Sequence, residues 1–192
     1  MNIISESISK VIVAITGASG SLYGAELVRQ LIAVDSVSQI AILLSENGKN
    51  VFDFEKATPI SESSKITFFD NSDLFAAPAS GSAGFNAMFI APCSMGSLAG
   101  IASGQSSNLI LRAADVMLKE RKPLVLMVRE SPYSLIHLEN MTRATHAGAI
   151  IFPASPFYYH HPKNIQELVS ALVSRMLNVA GISQPEIEWG NL

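Results

Sequence analysis

An unbroken β-branched and apolar run, Val11 to Thr16, passes directly into Gly17-Ala-Ser19-Gly20-Ser-Leu-Tyr-Gly24 and then into Ala25-Glu-Leu-Val-Arg-Gln-Leu-Ile32. No other stretch limits the possible folds so strongly. A run apolar at every position suits a parallel strand covered on both faces, and the pattern after it is helical, so the order is strand, tight loop, helix. Gly17 and Gly20 let the backbone turn sharply, and Ser19 or Ser21 is placed to cap the helix. Unpaired amides at such a helix start favour an anion, so a phosphate is expected here. A plain turn without ligand is the alternative. The Gly-x-x-Gly-x-x-x-Gly spacing is not the Gly-x-Gly-x-x-Gly of dinucleotide sites, so the loop points to phosphate without naming the molecule.

The remaining chain repeats this alternation. Strands are expected at Ser38–Leu44, Ile66–Phe69, Ala87–Ala91, Leu124–Val128 and Ala149–Phe152, with helices between them and a last helix over Ile165–Ala180. The fold class is therefore α/β, a three-layer doubly wound parallel sheet, with ligand chemistry at the strand carboxyl ends. At 192 residues one domain is expected over 1–192, with residues 1–10 an N-terminal arm and 181–192 a tail holding the single tryptophan, Trp189. Ser45 closes the second strand and opens a helix, a second place for an anion or a ribityl hydroxyl. A nicotinamide dinucleotide is disfavoured, because the acidic residue that would grip its ribose is missing there and Asp35 precedes the strand.

Charge narrows the partners. Thirteen basic against sixteen acidic residues give −3 with no basic run, which disfavours nucleic acid and anionic membranes. Charged residues are 15% and apolar ones 48%, too little polar material for a lone subunit's surface, so a homo-oligomer is expected. One cysteine, Cys93, leaves no disulfide framework and fits a reducing, cytoplasmic setting. The apolar run at 11 is too short for a secretory signal, and no stretch of 18 apolar residues exists to span a membrane.

From Leu74 to Leu111 there is no charged residue, yet Gly, Ser, Ala and Pro punctuate the segment too heavily for a membrane helix. It suits a wall for a large, flat, uncharged ring, or a buried subunit contact. Arg112 and Lys119, two helical turns apart, face the same way, which is ordinary on a solvent face. Arg129 at a strand end can fork onto two phosphate oxygens, and Glu130 beside it is a candidate proton-transfer group. His137, Glu139 and His146 lack metal-site spacing, and the His160-His161 pair has no sulfur or carboxylate ligand near it. No metal site is assigned.

Eight segments in order, Thr16-Gly-Ala-Ser-Gly, Ala79-Ser-Gly-Ser, Ala91-Pro-Cys-Ser-Met-Gly-Ser, Arg112-Ala-Ala-Asp, Leu118-Lys-Glu-Arg, Val128-Arg-Glu-Ser-Pro, His137-Leu-Glu-Asn-Met and Pro156-Phe-Tyr-Tyr-His, resemble the UbiX-type flavin prenyltransferases. The likeness runs from about residue 11 to Trp189. It implies a Rossmann-like, flavodoxin-like flavoprotein that joins the dimethylallyl group of dimethylallyl monophosphate to N5 and C6 of reduced FMN. The product would serve a UbiD-type decarboxylase, the enzyme would be a dodecamer, and ubiquinone biosynthesis would be one setting. By matching motifs, Gly17, Ala18, Ser19, Ser45, Ser94, Met95, Gly96, Ser97 and Arg129 would hold FMN, with Ser19 and Glu55 handling protons near it. Arg112, Lys119, Glu130, Tyr159 and Arg175 would surround the prenyl phosphate, and Trp189 would cover the dimethylallyl chain.

Physical chemistry agrees with that allocation. Cationic donors aimed at a departing phosphate lower the barrier without a metal, and the allyl cation left behind needs a dry pocket with π-faces. A monophosphate would also not need the Asp-rich magnesium sites that a diphosphate usually demands, and the chain has none. One position departs from the family pattern, Leu74 where tryptophan is common, which bears on chain-length preference and rate. Three rivals are weaker. A short-chain dehydrogenase would use Tyr159 and Lys163 on one helix face, but Pro162 between them opposes a helix. An FMN-dependent cysteine decarboxylase would carry an asparagine motif where Pro156-Phe-Tyr-Tyr stands. A flavin-storage protein would not need Lys119, Glu130 and Arg175.

Overall fold

The computed structural model describes residues 8–184. Six parallel strands make one sheet in the order β3-β2-β1-β4-β5-β6. They are β1 (Lys10–Ile15), β2 (Gln39–Leu44), β3 (Ile66–Phe69), β4 (Ala87–Cys93), β5 (Leu124–Val128) and β6 (Ile150–Pro153). The helices are α1 (Ser21–Ala33), α2 (Glu46–Phe54), α3 (Met95–Ala102), α4 (Leu109–Lys119), α5 (Leu135–Ala147) and α6 (Ile165–Val179). The strand order reverses between β1 and β4, and in open sheets the crevice above such a reversal is where ligands lie.

Continuous apolar strands still sort their side chains by the period of two. Val11 and Val13 face one core, built with Leu27, Val28 and Leu31 of α1 and Val169, Leu172, Val173 and Met176 of α6. Ile12 and Ala14 face the other, built with Leu98 of α3, Leu109, Ala113 and Met117 of α4 and Ala144 of α5. The sheet is thus a partition with α1 and α6 on one side and α3, α4 and α5 on the other.

Several boundaries shift for local reasons. Lys10 belongs to β1 rather than to an arm, because the Asn86 carboxamide oxygen accepts from the Ser9 and Lys10 amides at 3.1 Å each. β4 runs on to Cys93 through a register irregularity after Ile90, where Pro92 has no amide to give the ladder. The first helix starts at Ser21, four residues before the clear apolar pattern, with Gly20 at φ 108° as its cap. Only a glycine takes that left-handed turn without strain. Past α6, Ile182 is buried and the Gln184 amide donates to Asn178 at 2.7 Å, which folds the start of the tail back onto the domain. Trp189 lies outside the described residues.

Candidate functional site

Thr16 ties the β1 and β4 ends together across the reversal. Its hydroxyl donates to the Pro92 carbonyl at 2.8 Å and accepts from the Ser94 amide at 2.8 Å. Around this clamp three helices begin. Ser45 caps α2 by accepting from the Gly48 amide at 2.9 Å, and Ser94 caps α3 by accepting from the Ser97 amide at 3.3 Å. Asn108 caps α4 by accepting from the Leu111 amide at 3.0 Å. Asn71 completes that helix start, its carbonyl accepting from Leu109 at 2.8 Å and its side chain from Ile110 at 3.0 Å. Ser45, Asn71, Gly96, Ser97 and Asn108 line a cavity of about 130 Å³. The starts of α2 and α3 meet at this cavity, which Ile110 and Leu111 also line, and they are the helix starts that favour an anion there; α4 has its own first amides taken by Asn71 and Asn108.

At the start of α1, where a phosphate is expected, the structure puts a carboxylate of the chain itself. The Gly20 amide donates to the Glu55 carboxylate at 2.9 and 3.1 Å and the Ser21 amide donates to it at 2.8 Å, so the start of α1 is closed by the chain's own anion. Neither Ser19 nor Ser21 caps α1; Glu55, just past α2, does so instead. Partial burial pushes the Glu55 carboxyl up, but hydrogen bonds from the Ser19 hydroxyl and from the Ser21 and Gly20 amides outweigh it. The net effect holds Glu55 below the ordinary carboxylate value. Ser19 and Glu55, paired in the sequence reading, are therefore in contact. Gly17 serves packing, since a Cβ there would come within 2.5 Å of the Asn47 side chain.

From β5, Arg129 reaches over β4 and its Nε donates to the Ser19 carbonyl at 3.1 Å. Glu130 follows it and accepts from the Ser131 amide at 3.1 Å. Cys93, at the end of β4, is fully enclosed, and burial pushes its thiol up to about 12, which removes it as a nucleophile. After β6 the Tyr159 ring stacks on Phe157 with centroids 4.8 Å apart.

The cations separate. Arg112 donates from Nε to the Ala79 carbonyl at 3.1 Å and pairs with Asp115 at 2.8 Å, while Lys119 pairs with Glu120. Both stand on α4 towards the 77–83 turns, with Lys119 about 10 Å further along the axis. Arg175 stands on α6, on the other side of the sheet, at the rim of a cavity of about 540 Å³ shared with Arg29, Phe157 and His160. One chain thus brings Ser19, Glu55 and Arg129 into contact, sets Ser45 and Ser97 beside one cavity and places Ser94 at the same end of the sheet. It divides Arg112 and Lys119 from Arg175. Among the described residues no cluster of His, Cys, Asp or Glu could hold a metal.

Three residues of this site escaped the sequence reading. Asn108 carried a signal, an asparagine directly before an apolar helix. Asn71 carried none, because its partners lie 38 and 39 residues away at Leu109 and Ile110. Thr16 was legible as a strand end but not as a clamp.

Comparison with known proteins adds an independent line. The Flavoprotein family model matches residues 4–177. The flavin prenyltransferase UbiX of Pseudomonas aeruginosa is 41% identical over 94% of this chain and 94% of its own length. The structure of a dodecameric FMN-dependent UbiX-like decarboxylase from Escherichia coli O157:H7 is 36% identical, with TM-score 0.87 over 95% of this chain and 100% of that one. AnUbiX (PadA1), solved with FMN and dimethylallyl pyrophosphate, is 35% identical, with TM-score 0.82 over 94% of this chain and 98% of that one.

Proposed function

Since the chain belongs to the Flavoprotein family, and within it to the UbiX-type flavin prenyltransferases, we propose that it transfers the dimethylallyl group of dimethylallyl monophosphate to reduced FMN. The product, prenylated FMN, would be passed to a UbiD-type decarboxylase. The observation that carries the reading is the Ser19, Glu55 and Arg129 contact set at the β1/β4 crevice, beside the cavity of Ser45 and Ser97.

These residues fit FMN. The Ser45 and Ser97 hydroxyls at the α2 and α3 starts suit a ribityl phosphate, and Gly96 leaves open space where a Cβ would meet nothing within 4 Å. Gly17, Ala18, Ser94 and Met95 line the same strand ends, and Arg129 closes them from β5. When bound and reduced, the flavin supplies the nucleophilic N5 and C6 positions. Glu55 stays ionised at neutral pH and accepts from the Ser19 hydroxyl, so Ser19 is held with its oxygen free to take a proton from above. Glu130, one residue past Arg129, is the second carboxylate at this edge.

The donor's phosphate needs cations, and Arg112, Lys119 and Arg175 are the candidates, with Tyr159 stacked on Phe157, which lines the cavity that Arg175 rims. Because the sheet divides them within one chain, a complete site draws them from neighbouring copies. Exposed apolar side chains support that assembly. Phe54 is 87% exposed, Phe75 fully so, and α5 presents Leu135 at 71% and Ile136 at 67%. A dodecamer like the Escherichia coli relative's is the assembly we propose. No described helix is long and apolar enough to cross a membrane, and a cytoplasmic setting is proposed. Trp189, outside the described residues, is proposed to cover the dimethylallyl chain.

The test is a mass measurement. Incubation with reduced FMN and dimethylallyl monophosphate should yield a flavin heavier by one prenyl unit. An unchanged flavin mass would leave a binding or storage protein as the better account.

A further inference from the structure

The seam between α1 and α6 holds a buried polar stripe that the proposed chemistry does not use. Glu26 is 3% exposed and accepts four hydrogen bonds: from Arg29 Nε at 2.7 Å and Nη2 at 2.6 Å, from Gln30 at 2.8 Å and from Gln166 at 2.9 Å. Gln30 passes the link on. Its amide nitrogen donates to the Ser170 carbonyl at 3.0 Å and hydroxyl at 3.1 Å, and its oxygen accepts from the Ser174 hydroxyl at 3.0 Å.

The spacing gives this stripe a purpose. Gln166, Ser170 and Ser174 are four apart on α6, and Glu26 and Gln30 are four apart on α1, so two matched ridges meet along the seam. The apolar contacts beside them, Leu27 and Leu31 against Val169, Val173 and Met176, tolerate rotation and sliding of one helix on the other. Hydrogen bonds do not, because a shift of one position strands a buried carboxylate and a carboxamide without partners. Arg175 follows Ser174 and shares the 540 Å³ cavity with Arg29, Gln30, Ser170 and Ser174. Whatever sets the rotation of α6 sets the direction of that guanidinium.

We infer that Glu26 is a positioning residue for the prenyl-phosphate end of the site, acting through Gln30 and Ser174 to fix α6 so that Arg175 is aimed. The inference rests on the reading of Arg175 as a phosphate ligand. Burial raises the Glu26 carboxyl, and the hydrogen bonds from Arg29, Gln30 and Ser170 outweigh this and lower it, so the carboxylate is charged when it does this work.

The experiment measures KM for dimethylallyl monophosphate, kcat and FMN affinity in the assembled enzyme. Glu26→Gln should lower kcat/KM for dimethylallyl monophosphate about tenfold and Ser174→Ala about threefold, with FMN affinity within twofold of the parent. In an Arg175→Lys background Ser174→Ala should add less than about twofold, because the group it aims is gone. Should Glu26→Gln fail to assemble, Ser174→Ala at its half-buried position carries the same test. Unchanged kcat/KM with only a lowered melting temperature, or full additivity with Arg175→Lys, would make the stripe structural and overturn the inference. A parent enzyme that makes no heavier flavin would instead count against the proposed function.

Discussion

The two halves of the proposed site are built in opposite ways. The flavin half uses strand ends and helix starts of a single sheet, and its parts touch: Thr16 clamps β4, Glu55 closes α1, and Arg129 reaches Ser19. The phosphate half uses residues on helix surfaces, Arg112 and Lys119 on α4 and Arg175 on α6, with the sheet between them. Backbone geometry assembles the first within one chain. The second is the half that the proposal completes by assembly of copies. Topology alone gathers the strand ends and helix starts of the first half, whereas it leaves the cations of the second half on opposite sides of the sheet.

The largest effect should come from the half that is proposed to draw on neighbouring copies. Lys119→Ala is expected to lower prenylated flavin formation by a factor of about 10² to 10³, the usual cost of one electrostatic donor to a transition state, and to leave FMN binding intact. Mass spectrometry for product and fluorescence titration for FMN separate the two. Loss of FMN binding would erase the comparison by moving Lys119 into the flavin half.

A smaller effect belongs to the flavin half. Glu55→Gln leaves the Gly20 and Ser21 amides with a weaker partner, which should cost about 1 kcal/mol and lower the melting temperature by about 2–4 °C. Because the folded carboxyl sits below its unfolded value of 4.5, its contribution is whole above that pH and is lost as pH falls through the folded value. The melting difference between parent and variant should therefore shrink on acidification below about pH 4. A constant difference would mean that charge at Glu55 does not hold the loop.

Most of the fold was legible because apolar periodicity and helix punctuation reflect local chemistry. Ser45 before Glu46 and Asn108 before Leu109 are caps that a short window contains. What the window lacked was long-range pairing. The glycines after Val11–Thr16 suggested a phosphate at α1, but Glu55 takes those amides from 34 and 35 residues away, and no local pattern announces that. Arg112 and Lys119 were rightly placed on one side of a helix, since spacing alone decides that. Their separation from Arg175 depends on which face of the sheet each crossover covers, which the pattern of apolar residues does not encode.

The smallest effect tests the departure at Leu74, which is 43% exposed beside the fully exposed Phe75. Leu74→Trp adds aromatic surface where the family pattern has it and should lower KM for the donor about threefold, with stability unchanged. A KM that stays the same would show that Phe75 and its neighbours already supply the wall.

Mixing two inactive variants tests the central claim most directly. Lys119→Ala and Arg175→Ala, co-assembled in equal amounts and assayed for the mass gain on reduced FMN, should recover about a quarter of the parent activity, because random assembly rebuilds that share of sites drawing the two cations from different copies. No recovery in mixed assemblies that still bind FMN would place both cations of each site in one chain and contradict the account.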